Sequence, residues 1–394
     1  MLDTEEMALP TLSPEIFAQL ETTLASKGPH AATEELCAAL RELGDYNALF
    51  YAMLMNKRLD LNVTPFPTGA ATDMPADTHE EYENAIRDAG RLVGKLYLDQ
   101  DDIRRAYFFF NMLGEPEAIS RYIEEYKFDP DKDCQALIEI ALYNGVNPSK
   151  GFGLVLERYG ICNAITTYSQ QDFTRYPDAK QQCIKLLIKA LHEQLVDRLK
   201  SDIAARGDGA EVPATNSIIE LLNGREYLFG EDAYHIDTSH LSSVAQMSLE
   251  LTGGDELKLA RDLCAYGEKL ASHFQNEADP PFERTYADYK VLLEVTAGID
   301  VESGLKHFHD KIEPEAVQGN SFPAEVYVNL LLRLNRKADA IEVAKKYLSG
   351  ETRPLSCPGV FEMCQEAKDF KGLAEAARIR ADGVNFLAAK IAAR

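Results

Sequence analysis

Five of the eight histidines fall between residues 235 and 309, and two of them flank a carboxylate in Tyr234-His235-Ile236-Asp237-Thr238-Ser239-His240. His235, Asp237 and His240 offer two imidazoles and a carboxylate within six residues, a ligand set that suits Zn²⁺ or Fe²⁺ and leaves a position for water. Water on such a metal ionises near neutral pH, so the chemistry implied is metal-dependent hydrolysis or oxygenation. His307-Phe308-His309 would approach from a separate helix. The same residues also have a purely structural reading. Asp237-Thr238-Ser239 stands directly before an apolar helical stretch and reads as an N-cap, its oxygens taken up by backbone N–H groups. His307 and His309 lie two apart, so on one helix they face different ways. The His-Glu-x-x-His spacing of helical metallohydrolases is absent. The balance favours structural histidines.

Other reactive patterns are missing. The chain has no GxxxxGK[ST] or GxGxxG phosphate loop and no GxSxG nucleophile turn. Gly151-Phe152-Gly153 is a lone pair that suits a helix junction, and Asp99-Gln100-Asp101-Asp102 lacks the Gly and terminal Glu of a calcium loop and suits a helix start. Carboxylate pairs such as Glu124-Glu125 belong to solvated faces.

The elements that must position these residues are helices. Ser13-Pro14-Glu15 opens the first, with Ile16, Leu20 and Leu24 on one face and Gly28-Pro29 as its stop. Helical patterns follow over 32–43, 46–58, 80–98, 102–113, 115–126, 133–144 and 148–159, with no convincing strand anywhere. The run Tyr107-Phe108-Phe109-Phe110 is expected to fill both sides of its helix as core. A long pattern over 177–205 is expected to act as a spine, longer than the mean helix of about 11–12 residues. Residues 62–78, rich in Pro, Thr and Ala, predict an exposed loop, with a small-molecule pocket beneath it as a third functional option.

A short phrase recurs between these helices. Leu43-Gly44-Asp45-Tyr46-Asn47-Ala48-Leu49, Leu113–Ile119 and Tyr159–Ile165 each read bulky apolar, Gly, three variable residues, Ala, bulky apolar, with looser versions at Leu334–Ile341 and Ala367–Ala374. Gly gives a helix C-terminus its backbone freedom, and the small Ala lets the next helix press close. The expected architecture is all-α, built of paired antiparallel helices.

Residues Ala324–Leu348 carry this further: Ala324–Leu334, a turn at Asn335-Arg336-Lys337, then Ala338–Leu348 with Ala340, Ile341, Ala344 and Tyr347 at small and bulky packing positions. In this the segment resembles a tetratricopeptide (TPR) repeat. The close turn matches start 70 and 46 residues apart, against a TPR period of about 34, so the resemblance is to a degenerate TPR-like α-solenoid covering about a third of the chain. Some TPR domains clamp a peptide carboxylate through Lys, Asn and a basic residue. The resemblance implies Glu325, Asn329 and Arg333 as the partner-binding positions, with Glu325 of the wrong sign for that clamp.

The formal charge of −23 and the pI near 4.8 disfavour a nucleic-acid partner. Residues 328–394 carry 12 Lys/Arg against 8 Asp/Glu and lean basic, which leaves −27 on the remainder. Seven scattered Cys without a CxxC pair suggest reduced thiols, no run reaches the ~18 apolar residues of a membrane span, and the acidic start Met1–Met7 lacks a signal-peptide pattern. Three regions are expected: a flexible 1–12, a helical region 13–206, and a helical region 207–394 after the break at Gly207–Pro213. The function expected is a cytoplasmic scaffold that binds a protein or peptide on a concave helical surface and needs no cofactor. The alternative is the metal-dependent enzyme at His235, Asp237 and His240, holding Zn or Fe.

Overall fold

Four of the five recurring turns share one geometry; Tyr159–Ile165 departs from it, because Gly160 at φ 77° and ψ 177° lies outside the left-handed helical region. Gly44 (φ 79°) and Gly114 (φ 70°) end their helices in the left-handed region, and Asp101, Asn335, Lys368 and Ala381 do the same without being glycine. The residue after each reaches back five positions: Asp45 N to Leu40 O, Asp102 N to Tyr97 O, Glu115 N to Phe110 O, Arg336 N to Leu331 O, Asp369 N to Cys364 O and Asp382 N to Ala377 O, all within 2.8–3.1 Å. This closure satisfies carbonyls that a helix end leaves unpaired. At four of the turns that same residue is an Asp whose carboxylate starts the next helix, Asp45 taking Ala48 N, Asp102 Arg105 N, Asp369 Gly372 N and Asp382 Asn385 N. One residue therefore ends a helix and its neighbour begins the next. L-residues at such a φ carry a steric cost, so Ala381→Gly is expected to raise stability by about 1 kcal/mol, read as a higher denaturation midpoint with an unchanged slope.

The computed structural model describes residues 11–68, 74–205, 212–230, 232–275, 277–351 and 353–394. Most of the region expected to be flexible at 1–12, the middle of the 62–78 loop and most of the expected break at 207–213 lie outside the described residues. The chain forms two compact units that divide between Arg158 and Tyr159. Both are all-α, with no strand among the described residues.

In the first unit α1 (Pro14–Lys27), α2 (Pro29–Leu43), α3 (Tyr46–Asp60), α4 (His79–Leu98), α5 (Ile103–Leu113) and α6 (Glu117–Glu125) each pack on the next, and α7 (Gln135–Ile138) leans on α5. The core is aromatic: Tyr46 meets Tyr97 edge-on at 5.2 Å, and Phe109 lies 5.3 Å from Phe50. The expectation for Tyr107–Phe110 needs correcting, because α5 has only one buried side. Phe109 and Phe110 enter the core, whereas Phe108 is largely exposed. Described parts of the 62–78 loop are mostly exposed, and Arg58, itself fully buried, fastens the loop through Thr64 O at 2.5 Å and Thr64 Oγ1 at 3.0 Å.

The stretch α8 (Pro148–Gln170) is two helices, broken near the unit boundary by Gly160 at φ 77° and ψ 177°. In the second unit α9 (Pro177–Ala205) is the expected spine. Ile184, Leu187, Ile188, Leu191, Leu195 and Leu199 recur at three- and four-residue spacing and are fully buried. On α9 pack α10 (Ile218–Leu222), α11 (Thr238–Ser248) and α12 (Glu256–Gly267). Then α13 (Thr285–Thr296) packs on α12, α14 (Val301–His309) on α13, and α15 (Ile312–Val317) on α14. Next come α16 (Phe322–Arg333), α17 (Lys337–Tyr347), α18 (Val360–Glu366), α19 (Phe370–Ile379) and α20 (Gly383–Ala392), each in contact with its predecessor, and α16 also with α13 and α14. Adjacent helix pairing is thus the rule in both units. No helix among the described residues is long and apolar enough to cross a membrane.

All seven cysteines are free. Burial pushes Cys183 and Cys357 up to about 12 and Cys364 up to about 11, and it raises Cys37, Cys134 and Cys264 as well. Only the thiolate attacks a disulfide reagent. Native protein is therefore expected to show one fast thiol, Cys162 on the surface, one slow thiol, the half-buried Cys37, and five that react only on unfolding. A colorimetric thiol titration with and without denaturant checks this.

Candidate functional site

Helices α11, α13 and α16, with the segments before α13 and after α17, enclose a hollow of about 440 Å³ in the second unit. Its floor is apolar: Phe282, Tyr289, Leu292, Phe322, Val326 and Leu330 line it, the last three from one face of α16. Phe282 meets the edge of Tyr289 at 5.0 Å and that of Phe322 at 6.4 Å, so the aromatic rings brace each other. The polar lining comes from Gln246, Glu250, Asp279, Asn329, Arg333 and Ser356. Asn329 Nδ2 donates to Ser356 O at 3.0 Å, and Arg333 Nη1 donates to Leu249 O at 2.5 Å. Arg333 is exposed at the edge of the hollow, yet the protein atoms crowding it desolvate its guanidinium and lower it below the ordinary value, while Glu250 opposes the shift. A guanidinium has five N–H donors, so Arg333 retains donors for a ligand carboxylate.

Of the three positions that the TPR resemblance assigned to a partner, two line this hollow and one does not. Glu325 is fully buried. Its carboxylate pairs with Arg353 and accepts from Ser356 N at 2.6 Å and Ser356 Oγ at 2.9 Å. Since Ser356 lines the hollow and Arg353 also holds Ser321, Glu325 works from behind the wall, fixing the loop that Asn329 leans on. The aromatic floor was not singled out from the sequence. Phe282 and Ser356 come from loops far from α16 in the chain, and the local signal available was only Pro280-Pro281-Phe282, an apolar residue at a turn.

His235, Asp237 and His240 are placed differently from one another. The His235 side chain is nearly buried. Its backbone N–H donates to Tyr266 Oη at 2.8 Å, Nδ1 lies 3.1 Å from the same hydroxyl, and Nε2 lies 3.2 Å from Asp202 Oδ2. Burial pushes Tyr266 up to about 12, against the His235 N–H. Asp237 is the N-cap of α11: Oδ1 accepts from Ser239 N at 2.8 Å, Ser239 Oγ at 2.5 Å and His240 N at 3.3 Å. The Ser239 bonds come first among the causes that hold its carboxyl below the usual range. His240 joins this group through its backbone. Among the described residues no three His, Cys, Asp or Glu side chains converge as metal ligands. His307 Nε2 is bonded to the buried Asp288 at 2.7 Å, beside Lys311 at 2.9 Å, and His309 meets the edge of Tyr327.

A second hollow, of about 650 Å³, lies between α9, α10 and α12. Polar and charged side chains, among them Lys189, Glu193, Asp197 and Lys258, line most of it, and at its wall the buried His192 has Nε2 3.8 Å from Asp262 Oδ2 with no hydrogen bond. Ligand sites are more commonly apolar with a few convergent polar groups. By that criterion the smaller hollow is the stronger candidate.

No protein-family model matches the chain, and no curated protein or solved structure matches it either.

Proposed function

We propose that this chain is a cytoplasmic protein-interaction scaffold, a TPR-like stack of antiparallel helix pairs that holds a peptide or helix in the hollow between α11, α13 and α16. The observation that carries the reading is that one hollow is lined both by the aromatic rings of Phe282, Tyr289 and Phe322 and by Asn329 and Arg333. Such a surface suits an amphipathic segment whose apolar side chains enter the floor while an acidic side chain or a terminal carboxylate meets Arg333. The recurring left-handed turns support the stack reading, because each returns the chain for another antiparallel helix. The alternative, a metal-dependent hydrolase or oxygenase at His235, Asp237 and His240, finds less support, since the donors of His235 and Asp237 are already engaged within the protein.

A peptide-display selection on the full chain tests the proposal. Enriched peptides that bind wild type, compete with one another and lose affinity at least about tenfold on Val326→Glu would support it. Val326 is half-buried on the hollow's wall, so the substitution places a charge in the floor without emptying the core. Peptides that bind Val326→Glu and wild type equally would contradict it.

A further inference from the structure

Exposed apolar side chains are ordinary when single and informative when they share a helix face. On α20, Val384 is 81% exposed, Leu387 59% and Ile391 60%, at positions i, i+3 and i+7, while Ala389 is turned into the packing against α19. These three form one stripe about 10 Å long. On α1, Phe17 is 56% exposed and Leu24 53%, again seven residues apart. Ile16 and Leu20 occupy the half-buried side towards α2, and no α1 residue is fully buried. Two helices thus present exposed apolar side chains seven residues apart, each uncovered by the described residues of its own unit.

Charge distinguishes the ways such stripes can pair. Residues 13–44 hold five Glu against Lys27 and Arg41, net −3, and residues 370–394 hold five Lys/Arg against Glu375 and Asp382, net +3. On the helices themselves the signs are the same but smaller: α1 holds Glu15 and Glu21 against Lys27, and α20 holds Lys390 with Arg394 after it, so only the α1–α20 pairing brings net opposite charge together. Copies of a chain at −23 also repel one another, so association needs a contact of opposite sign. We infer that α20 of one copy docks on α1 of a second copy, Val384, Leu387 and Ile391 packing around Phe17 and Leu24, with Lys390 and Arg394 near Glu15 and Glu21. The contact uses different patches on the two copies, so it builds head-to-tail assemblies.

Sedimentation velocity of the full chain over a wide concentration range tests this, with Leu387→Glu and Leu24→Lys as variants. Both positions are exposed, and each substitution sets like charge against the opposing helix. The expected result is a wild-type mass that rises with concentration, and variants that each lose self-affinity at least about tenfold. Mixed together, the two variants should form a dimer and stop there, because one intact α20 then meets one intact α1. A wild type that stays monomeric overturns the inference, as do variants that associate normally or a mixture that stays monomeric. Loss of binding to anionic vesicles by Leu387→Glu, without any change in self-association, also overturns it and assigns the α20 stripe to a lipid surface.

Discussion

Glu325→Ala is expected to cost about 3 kcal/mol of stability, and to weaken ligand capture at the hollow although residue 325 touches no ligand. The carboxylate is fully buried and fully engaged, by Arg353 and by both the N–H and the hydroxyl of Ser356. Deleting it leaves the Ser356 N–H without its acceptor and opens a void under α16. Arg353 is half-exposed and recovers solvation, which keeps the cost below that of a wholly buried pair. The loop that follows α17 then loses its tether, and with it the Ser356 carbonyl that orients Asn329. Glu325→Gln keeps an acceptor for Ser356 and should recover part of the loss. Chemical denaturation of both variants, beside wild type, measures the effect; equal midpoints for all three would show that the network contributes nothing.

His235→Ala is expected to cost about 2–3 kcal/mol, with metal content the same in variant and wild type. The imidazole sits against Phe229 and Tyr266 and spans from the Tyr266 hydroxyl to the Asp202 carboxylate. Tyr266 keeps one partner after the substitution, because the backbone N–H of residue 235 still reaches its oxygen. Asp202 is partly exposed and stays solvated. The loss is therefore one of packing and of a single polar bridge. Elemental analysis of protein purified without a histidine tag, run beside the denaturation curves, separates this from the alternative. Near-stoichiometric Zn or Fe that disappears in the variant would make His235 a ligand and redirect the search to an enzyme.

Helix identity was largely legible because it is local. Pro177 at the first helical position and an unbroken three- and four-residue apolar spacing specify α9 without reference to anything else. Gly44 and Gly114 likewise mark turns that backbone sterics require. The equivalent turns at Lys368 and Ala381 carry no such mark, since there the packing of flanking helices imposes a left-handed residue that its own side chain disfavours. The Asp that follows was the better signal: Asp45, Asp102, Asp369 and Asp382 each cap the next helix.

The site was half legible. Asn329 and Arg333 could be placed by their TPR-like spacing on α16, but Glu325, four residues earlier, could not. An α-helix turns about 100° per residue, so each four-residue step drifts roughly 40°. Over eight residues that carries Glu325 off the hollow's wall and under the loop at 353–356. Phe108 shows the same limit, because four consecutive aromatic residues cannot all face one core and contacts from α3 and α4 decide which are left out. Phe282 and Ser356 reach the hollow through tertiary folding, which no local pattern encodes.

A partner polypeptide seated in the hollow between α11, α13 and α16 would lie against Val326. A photo-cross-linking residue placed at position 326, compared with one at the exposed position 337 on α17, tests it most directly in cells that express the full chain. The expected result is a discrete cross-linked species from position 326, absent from position 337 and lost when Arg333→Glu is added. Cross-linking that is equal at the two positions, or indifferent to Arg333→Glu, would contradict it.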